Sequence, residues 1–358
     1  MKFLKISAGV ALALAMAGCG KDAASTANAS TRSYEPKVLS DTTFAVQYRK
    51  NSSAALKPLV DAAVDSLWKS LSKAGSDSDA GKGRKFLEES GLRDADVKWA
   101  IVSIGGINIA EIERLNKAPD CAFAMAVEHD VDKVLAAFKG SLDESDKLTD
   151  VSIPGAKAWT VCATDKEPPN VQSFASLDGK LVLMAETPEK LERLVALYRD
   201  GKGASDKFAS LSADGGSLLR AYVPSVGDLV KKAVEGTDGA LDMFNMIMPD
   251  GARVVQSLAE LEVSFAGADA GGALLRISLN AANDADADSI RTISNTGLLR
   301  LKATLNADES EGAKLAYAIF KDAKVVGEGN NCLLNLALPA EVLDSMVQAI
   351  KASVGGDD

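Results

Sequence analysis

The chain has 358 residues, 47% of them apolar and 25% charged, with a net charge of −10, a balance that suits a globular protein with material for two domains of ordinary size. The acidic balance and the lack of a local basic patch exclude nucleic acid as an electrostatic partner. One histidine and no Cys-x-x-Cys pair argue against a zinc site, so no metal or other cofactor is expected.

Taken in order, the chain opens with Lys2 and Lys5 as a positive n-region and Ile6 to Met16 as an apolar stretch of secretory-signal length, too short to span a bilayer. Met16-Ala17-Gly18-Cys19 resembles the lipobox of bacterial lipoproteins: an aliphatic residue, two small residues that let the peptidase approach the backbone, and the cysteine that is lipidated. The resemblance implies that residues 1–18 are removed, that Cys19 carries the lipid, and that the membrane holds the protein without being spanned. Gly20, by the same resemblance, implies the periplasmic face of the outer membrane, with the inner membrane or the cell surface as alternatives. Ala15-Met16-Ala17 also fits an ordinary secretory cleavage site, which would release a soluble protein. Residues 19–38 are small and polar with no apolar period and read as a flexible tether.

The body is expected to start at Leu39. Phe44, Val46 and Tyr48 alternate as a strand, and Leu59, Val60, Ala63, Val64, Leu67 and Leu71 give a helical stripe behind Pro58. A short helix over 84–90 and strands over 97–104 and 121–128 follow, and Asp130 caps a helix carrying Val131, Val134, Leu135 and Phe138. Pro154-Gly155 and Asp178-Gly179 turn two hairpins, and Thr187-Pro188 opens a helix with Leu191, Leu194, Val195 and Tyr198. After the Gly/Ser/Asp-rich passage 200–216, a strand over 218–223, a helix capped by Ser225, strands over 261–265 and 273–279, helices over 289–305 and 310–322, and a final hairpin and helix complete the chain.

The two parts repeat. Strand, glycine turn, strand and proline over 177–188 match 326–339, and Leu191, Leu194, Val195 and Tyr198 match Leu343, Met346, Val347 and Ile350 in spacing. The expectation is an α+β protein of two tandem repeat units, 39–205 and 214–354, each an antiparallel sheet with helices packed on one face, with Leu194 and Met346 buried in separate cores. This organisation resembles uncharacterised envelope lipoproteins of bacteria, a family with no activity to carry over.

Candidate chemistry is sparse. His129, between Glu128 and Asp130, reads as a surface turn, because no Ser or Cys nucleophile is tied to it. Asp284, Asp286 and Asp288 lack the Gly and Glu of a calcium loop and suit a helix N-terminus. If the large faces of both strands point into one core, Cys121 and Cys162 point apart, so Cys121, Cys162 and Cys332 are expected as free thiols, with a Cys121–Cys162 disulfide as the alternative. Met243, Phe244, Met246 and Met248 form the one passage suggestive of an adaptable apolar pocket, although core packing is the favoured explanation. The expectation is therefore a non-enzymatic, lipid-anchored envelope protein that binds or scaffolds a protein partner. The alternative is a carrier or sensor of an apolar ligand held between sheet and helices.

Overall fold

The computed structural model describes residues 33–50, 54–73, 85–86, 88–92, 96–105, 120–128, 130–140, 142, 146–163, 170–209, 211, 216–234, 245–246, 250–268 and 271–355. Among them the strands are β1 (Thr42–Arg49), β2 (Val97–Gly105), β3 (Asp120–Val127), β4 (Asp146–Ile153), β5 (Ala156–Ala163), β6 (Asn170–Leu177), β7 (Leu181–Ala185), β8 (Ser217–Val223), β9 (Leu258–Gly267), β10 (Ala273–Ala281), β11 (Val325–Val326) and β12 (Asn331–Leu338). The helices are α1 (Lys57–Lys73), α2 (Val131–Gly140), α3 (Pro188–Asp200), α4 (Val226–Val234), α5 (Gly251–Gln256), α6 (Asp284–Ala307), α7 (Glu311–Phe320) and α8 (Ala340–Gly355). All twelve strands join one antiparallel sheet in the order β11-β12-β10-β9-β8-β1-β2-β3-β7-β6-β5-β4, and β1 pairs with β8 at the seam. The protein is thus α+β.

Strand β3 shows how the sequence sorts the two faces. Cys-Ala-Phe-Ala-Met-Ala-Val sends Phe123 and Met125 to the front and Ala122, Ala124 and Ala126 to the back. The small back residues let α3 approach closely, and Leu191, Leu194, Val195 and Tyr198 fill that side. Helix α3 begins where expected: the Thr187 hydroxyl accepts from the Lys190 amide at 3.2 Å, and Pro188 sits in the first turn. It ends at Gly201, whose φ of 73° is left-handed and whose N–H bonds the Leu197 carbonyl. On the front, α2 packs on the large residues, and the ring of Phe138 lies 4.3 Å from that of Phe174. Helices therefore cover both faces of this half. The one-face expectation holds only for β9, β10 and β12, where α6, α7 and α8 share the front. Their back carries Glu260, Glu262, Ser264, Arg276 and Asn280, too polar to bury under a helix.

Two other expectations are corrected. The segment from Tyr34 to Val38 belongs to the core and not to a tether: Tyr34 is buried, its carbonyl accepts from Trp99 Nε1 at 2.8 Å, and its hydroxyl bonds Asp178. The Tyr198 hydroxyl clamps the same segment, accepting from the Lys37 amide at 3.1 Å and donating to the Lys37 carbonyl at 2.8 Å. One aromatic and one aliphatic side chain separated by Glu35, Pro36 and Lys37 make no period, so the sequence hides this docking. The closing helices also do not seal separate cores. Helix α8 packs on α1, and Val342 and Leu343 share one cluster with Leu56, Tyr48 and Phe123. In that position α8 buries Val342, Leu343 and Val347, leaving Met346 38% exposed, whereas Leu194 is 2% exposed.

Candidate functional site

Among the described residues, a partly covered apolar surface lies on the front of the sheet, on strands that each have a neighbour on both sides. Antiparallel register aligns side chains across strands on one face. Ile277, Val263, Ala221, Val46 and Val102 form an inner row across β10, β9, β8, β1 and β2. Leu279, Leu261, Val223, Phe44 and Ile104 form an outer row two residues nearer the strand ends. All ten are apolar and all are only half-buried. On the same face one step deeper, Tyr48, Ala100, Met125 and Val182 are sealed, as are Trp159 and Phe174 on β5 and β6, whereas Leu219, Phe265 and Leu275 on β8, β9 and β10 are half-buried. Among the described residues the front face is therefore largely sealed over β3, β7, β6 and β5 and only partly covered over β10, β9, β8 and the outer parts of β1 and β2.

Helix α6 lies on the β12 side of this face, where Ile290 and Leu298, like Leu279 and Leu334, pack against the buried cluster of Ala281, Ala287, Val325 and Cys332. Its root is latched by Asp286, a fully buried carboxylate that accepts from Arg253 at 2.5 Å and from Asn283 Nδ2 at 2.8 Å. Burial by itself would raise the Asp286 pKa, but hydrogen bonds from Ser257, Arg253 and Asn283, with the Arg253 charge, outweigh it and hold the carboxyl below its ordinary value. The Asn283 carboxamide caps the helix by accepting from the Asp286 amide, so the Asp284, Asp286 and Asp288 series is a helix start as expected. Along its outer edge α6 is pinned to β11 by Asn295, which bonds both the N–H and the C=O of Val325 at 2.8 Å. Arg291 and Lys302 bond carbonyls of the 323–331 stretch. Only Asp286 and Ala287 of its 24 residues are buried, so polar bonds more than packing hold the helix in place.

The residues singled out from sequence lie elsewhere. Cys19, His129, Met243, Phe244 and Met248 fall outside the described residues, and Met246 is 80% exposed. Cys121, Cys162 and Cys332 are free. Cys121 is on the front face and Cys162 on the back, as alternation requires. Burial, reinforced by Glu186, pushes the Cys121 thiol up to about 11, which leaves it protonated and unreactive at neutral pH. Among the described residues no group of His, Cys, Asp and Glu is arranged to hold a metal ion, and no helix is long and apolar enough to cross a membrane. A groove of 330 Å³ between α1 and α8 has a mixed lining, with Ala54, Pro58, Ala62 and Val347 beside the charged Lys57, Asp61, Asp65 and Lys351, and Lys57 and Asp61 form an ion pair at 2.8 Å. The half-buried front escaped sequence reasoning because Leu261, Val263 and Phe265 alternate as any core strand would.

No family model, no curated protein and no solved structure matches this chain.

Proposed function

We propose that this is a lipid-anchored cell-envelope protein, non-enzymatic in action, that holds an apolar ligand on the half-buried front of its sheet. The observation that carries the reading is the contrast within one face, where these ten apolar side chains, with Leu219, Phe265 and Leu275, stay half-buried while Phe123, Met125, Val182, Trp159 and Phe174 on the other half of the sheet are sealed. A partly wet apolar surface of this kind costs free energy, at about 25 cal/mol per Å² left in water, which a ligand would recover. The recessed position beside α6 favours a small ligand over a protein scaffold. The anchor rests on the Cys19 motif, and its tether runs from Cys19 to Ser33, since Tyr34 is already in the core. The reading of two tandem units is supported by strand order: outward from the seam, β1-β2-β3-β7-β6 runs in parallel with β8-β9-β10-β12-β11, and the β4–β5 hairpin is an addition to the first.

The test uses two forms of the protein. Cys19→Ala should leave the body folded and abolish recovery with membranes after a high-salt wash. The purified Cys19→Ala form should bind a neutral apolar dye such as Nile red saturably. Quantitative membrane recovery of a variant that has still lost residues 1–18 would overturn the anchor, and, for that same processed form, a dye signal that only rises linearly would overturn the ligand reading.

A further inference from the structure

We propose that the outer edge of β4 docks an extended peptide strand of a partner protein, with an apolar, a basic, a β-branched, an apolar and an acidic residue in succession. This site is independent of the apolar ligand, since β4 stands at the opposite end of the sheet from β12, β10 and β9.

The two edges of the sheet are built differently. At one end β11 is only two residues long, and the Asn295 carboxamide of α6 bonds both the N–H and the C=O of Val325 at 2.8 Å. That side chain takes the place of a neighbouring strand and closes the edge. At the other end β4 runs for eight residues, contains no proline and pairs with β5 without a bulge from Asp146 to Ile153. An edge of that length is a template for strand addition unless something blunts it. Pro154 and Gly155 form a two-residue turn, which makes the flanking Ile153 and Ala156 a hydrogen-bonded pair. Bonded and non-bonded pairs alternate from there, so Ser152, Asp150 and Leu148 aim their N–H and C=O groups away from β5. Among the described residues nothing bonds those groups, and the Leu148 side chain beside them is 41% exposed.

The side chains of the edge specify the partner. Leu148 and Asp150 stand on the front of the sheet, and Lys147, Thr149 and Val151 on the back. An antiparallel strand makes favourable cross-strand pairs when it presents an apolar residue to Val151, Lys or Arg to Asp150, a β-branched residue to Thr149, an apolar residue to Leu148 and Glu or Asp to Lys147. A second copy of the chain does not meet this requirement. In every antiparallel register that pairs β4 with itself over more than half its length, Asp150 falls opposite or diagonal to an aspartate of the other copy, and like charges there oppose pairing.

The experiment titrates the processed Cys19→Ala form with a fluorescent peptide, capped at both ends, whose core is Ser-Val-Lys-Thr-Leu-Glu. Binding should saturate with a Kd below about 1 mM, and the peptide with Lys and Glu exchanged should bind about tenfold more weakly. The double variant Lys147→Asp, Asp150→Lys, checked for folding by circular dichroism, should reverse that preference. N-methylation of the peptide at Lys removes an N–H aimed at β4 and should abolish binding, whereas N-methylation at Thr removes one aimed at solvent and should leave it unchanged. The two methylated peptides test the edge even if the double variant does not fold. No saturable binding overturns the site, and equal loss with both methylated peptides overturns strand addition. Equal affinity for the two charge arrangements overturns the stated partner chemistry. Concentration-dependent dimerisation in sedimentation that Leu148→Pro removes would make a second copy the occupant and overturn the peptide assignment. Nile red binding enters none of these measurements, so the apolar-ligand reading stands or falls separately.

Discussion

Gln47 of β1 stands directly opposite Arg220 of β8 at the seam of the sheet, and both side chains are buried. The two are treated differently. Arg220 gives two hydrogen bonds to Glu262 Oε1, from Nη2 at 2.8 Å and Nε at 3.1 Å, so its charge is compensated. The Gln47 carboxamide has no partner for either its oxygen or its nitrogen. The seam thus combines a compensated charge with an uncompensated amide one strand away.

An orphaned buried amide costs about 1 to 3 kcal/mol. Gln47→Met keeps the length of the side chain and removes both polar atoms. It should raise stability by about 1 kcal/mol, read as a higher urea midpoint at unchanged slope. An equal or lower midpoint would mean that the amide is satisfied in solution.

Leu194 and Met346 should separate sharply. Leu194→Ala opens a hole between α3 and the alanine face of β3 and should cost about 2 to 5 kcal/mol. Met346→Ala trims a side chain that is 38% exposed and should cost less than about 1 kcal/mol. Chemical denaturation of the pair checks this, and similar losses in both would mean that α8 turns Met346 inward in solution.

The Asp286 latch has a pH signature. Its carboxyl is held below the ordinary value in the fold, so as pH falls the unfolded chain takes up the proton first. The contribution is complete above the unfolded pKa of about 3.9 and is lost as pH drops through the lower folded value. Asp286→Asn should therefore cost about 2 kcal/mol at neutral pH. The gap to the unsubstituted protein should narrow only below about pH 4, as measured by urea unfolding at a series of pH values. A gap constant down to pH 2 would show that the ionised form is not what stabilises α6.

Much of the fold was legible in short stretches. Thr187-Pro188 marked the start of α3, Asp178-Gly179 the β6–β7 turn, and the alternation in 261–265 the path of β9. The half-buried front was not legible from the same letters. Val263 on β9 and Phe123 on β3 look alike in sequence, yet one is half-buried and the other sealed. The difference lies in which helices stand over them.

The sequence by itself determined the strands, the caps, the turns and the opposed faces of Cys121 and Cys162, because each depends on contacts within a few residues or on the two-residue period of a strand. Tertiary structure alone decided that Tyr34 docks on Trp99, that Met346 turns outward, and that the apolar front of β8, β9 and β10 stays only half-buried. Each of these depends on what a residue meets from distant parts of the chain, as when α8 settles on α1. Hydrophobic burial is non-directional: it drives an apolar side chain out of water without specifying which distant surface receives it or whether that surface closes over it.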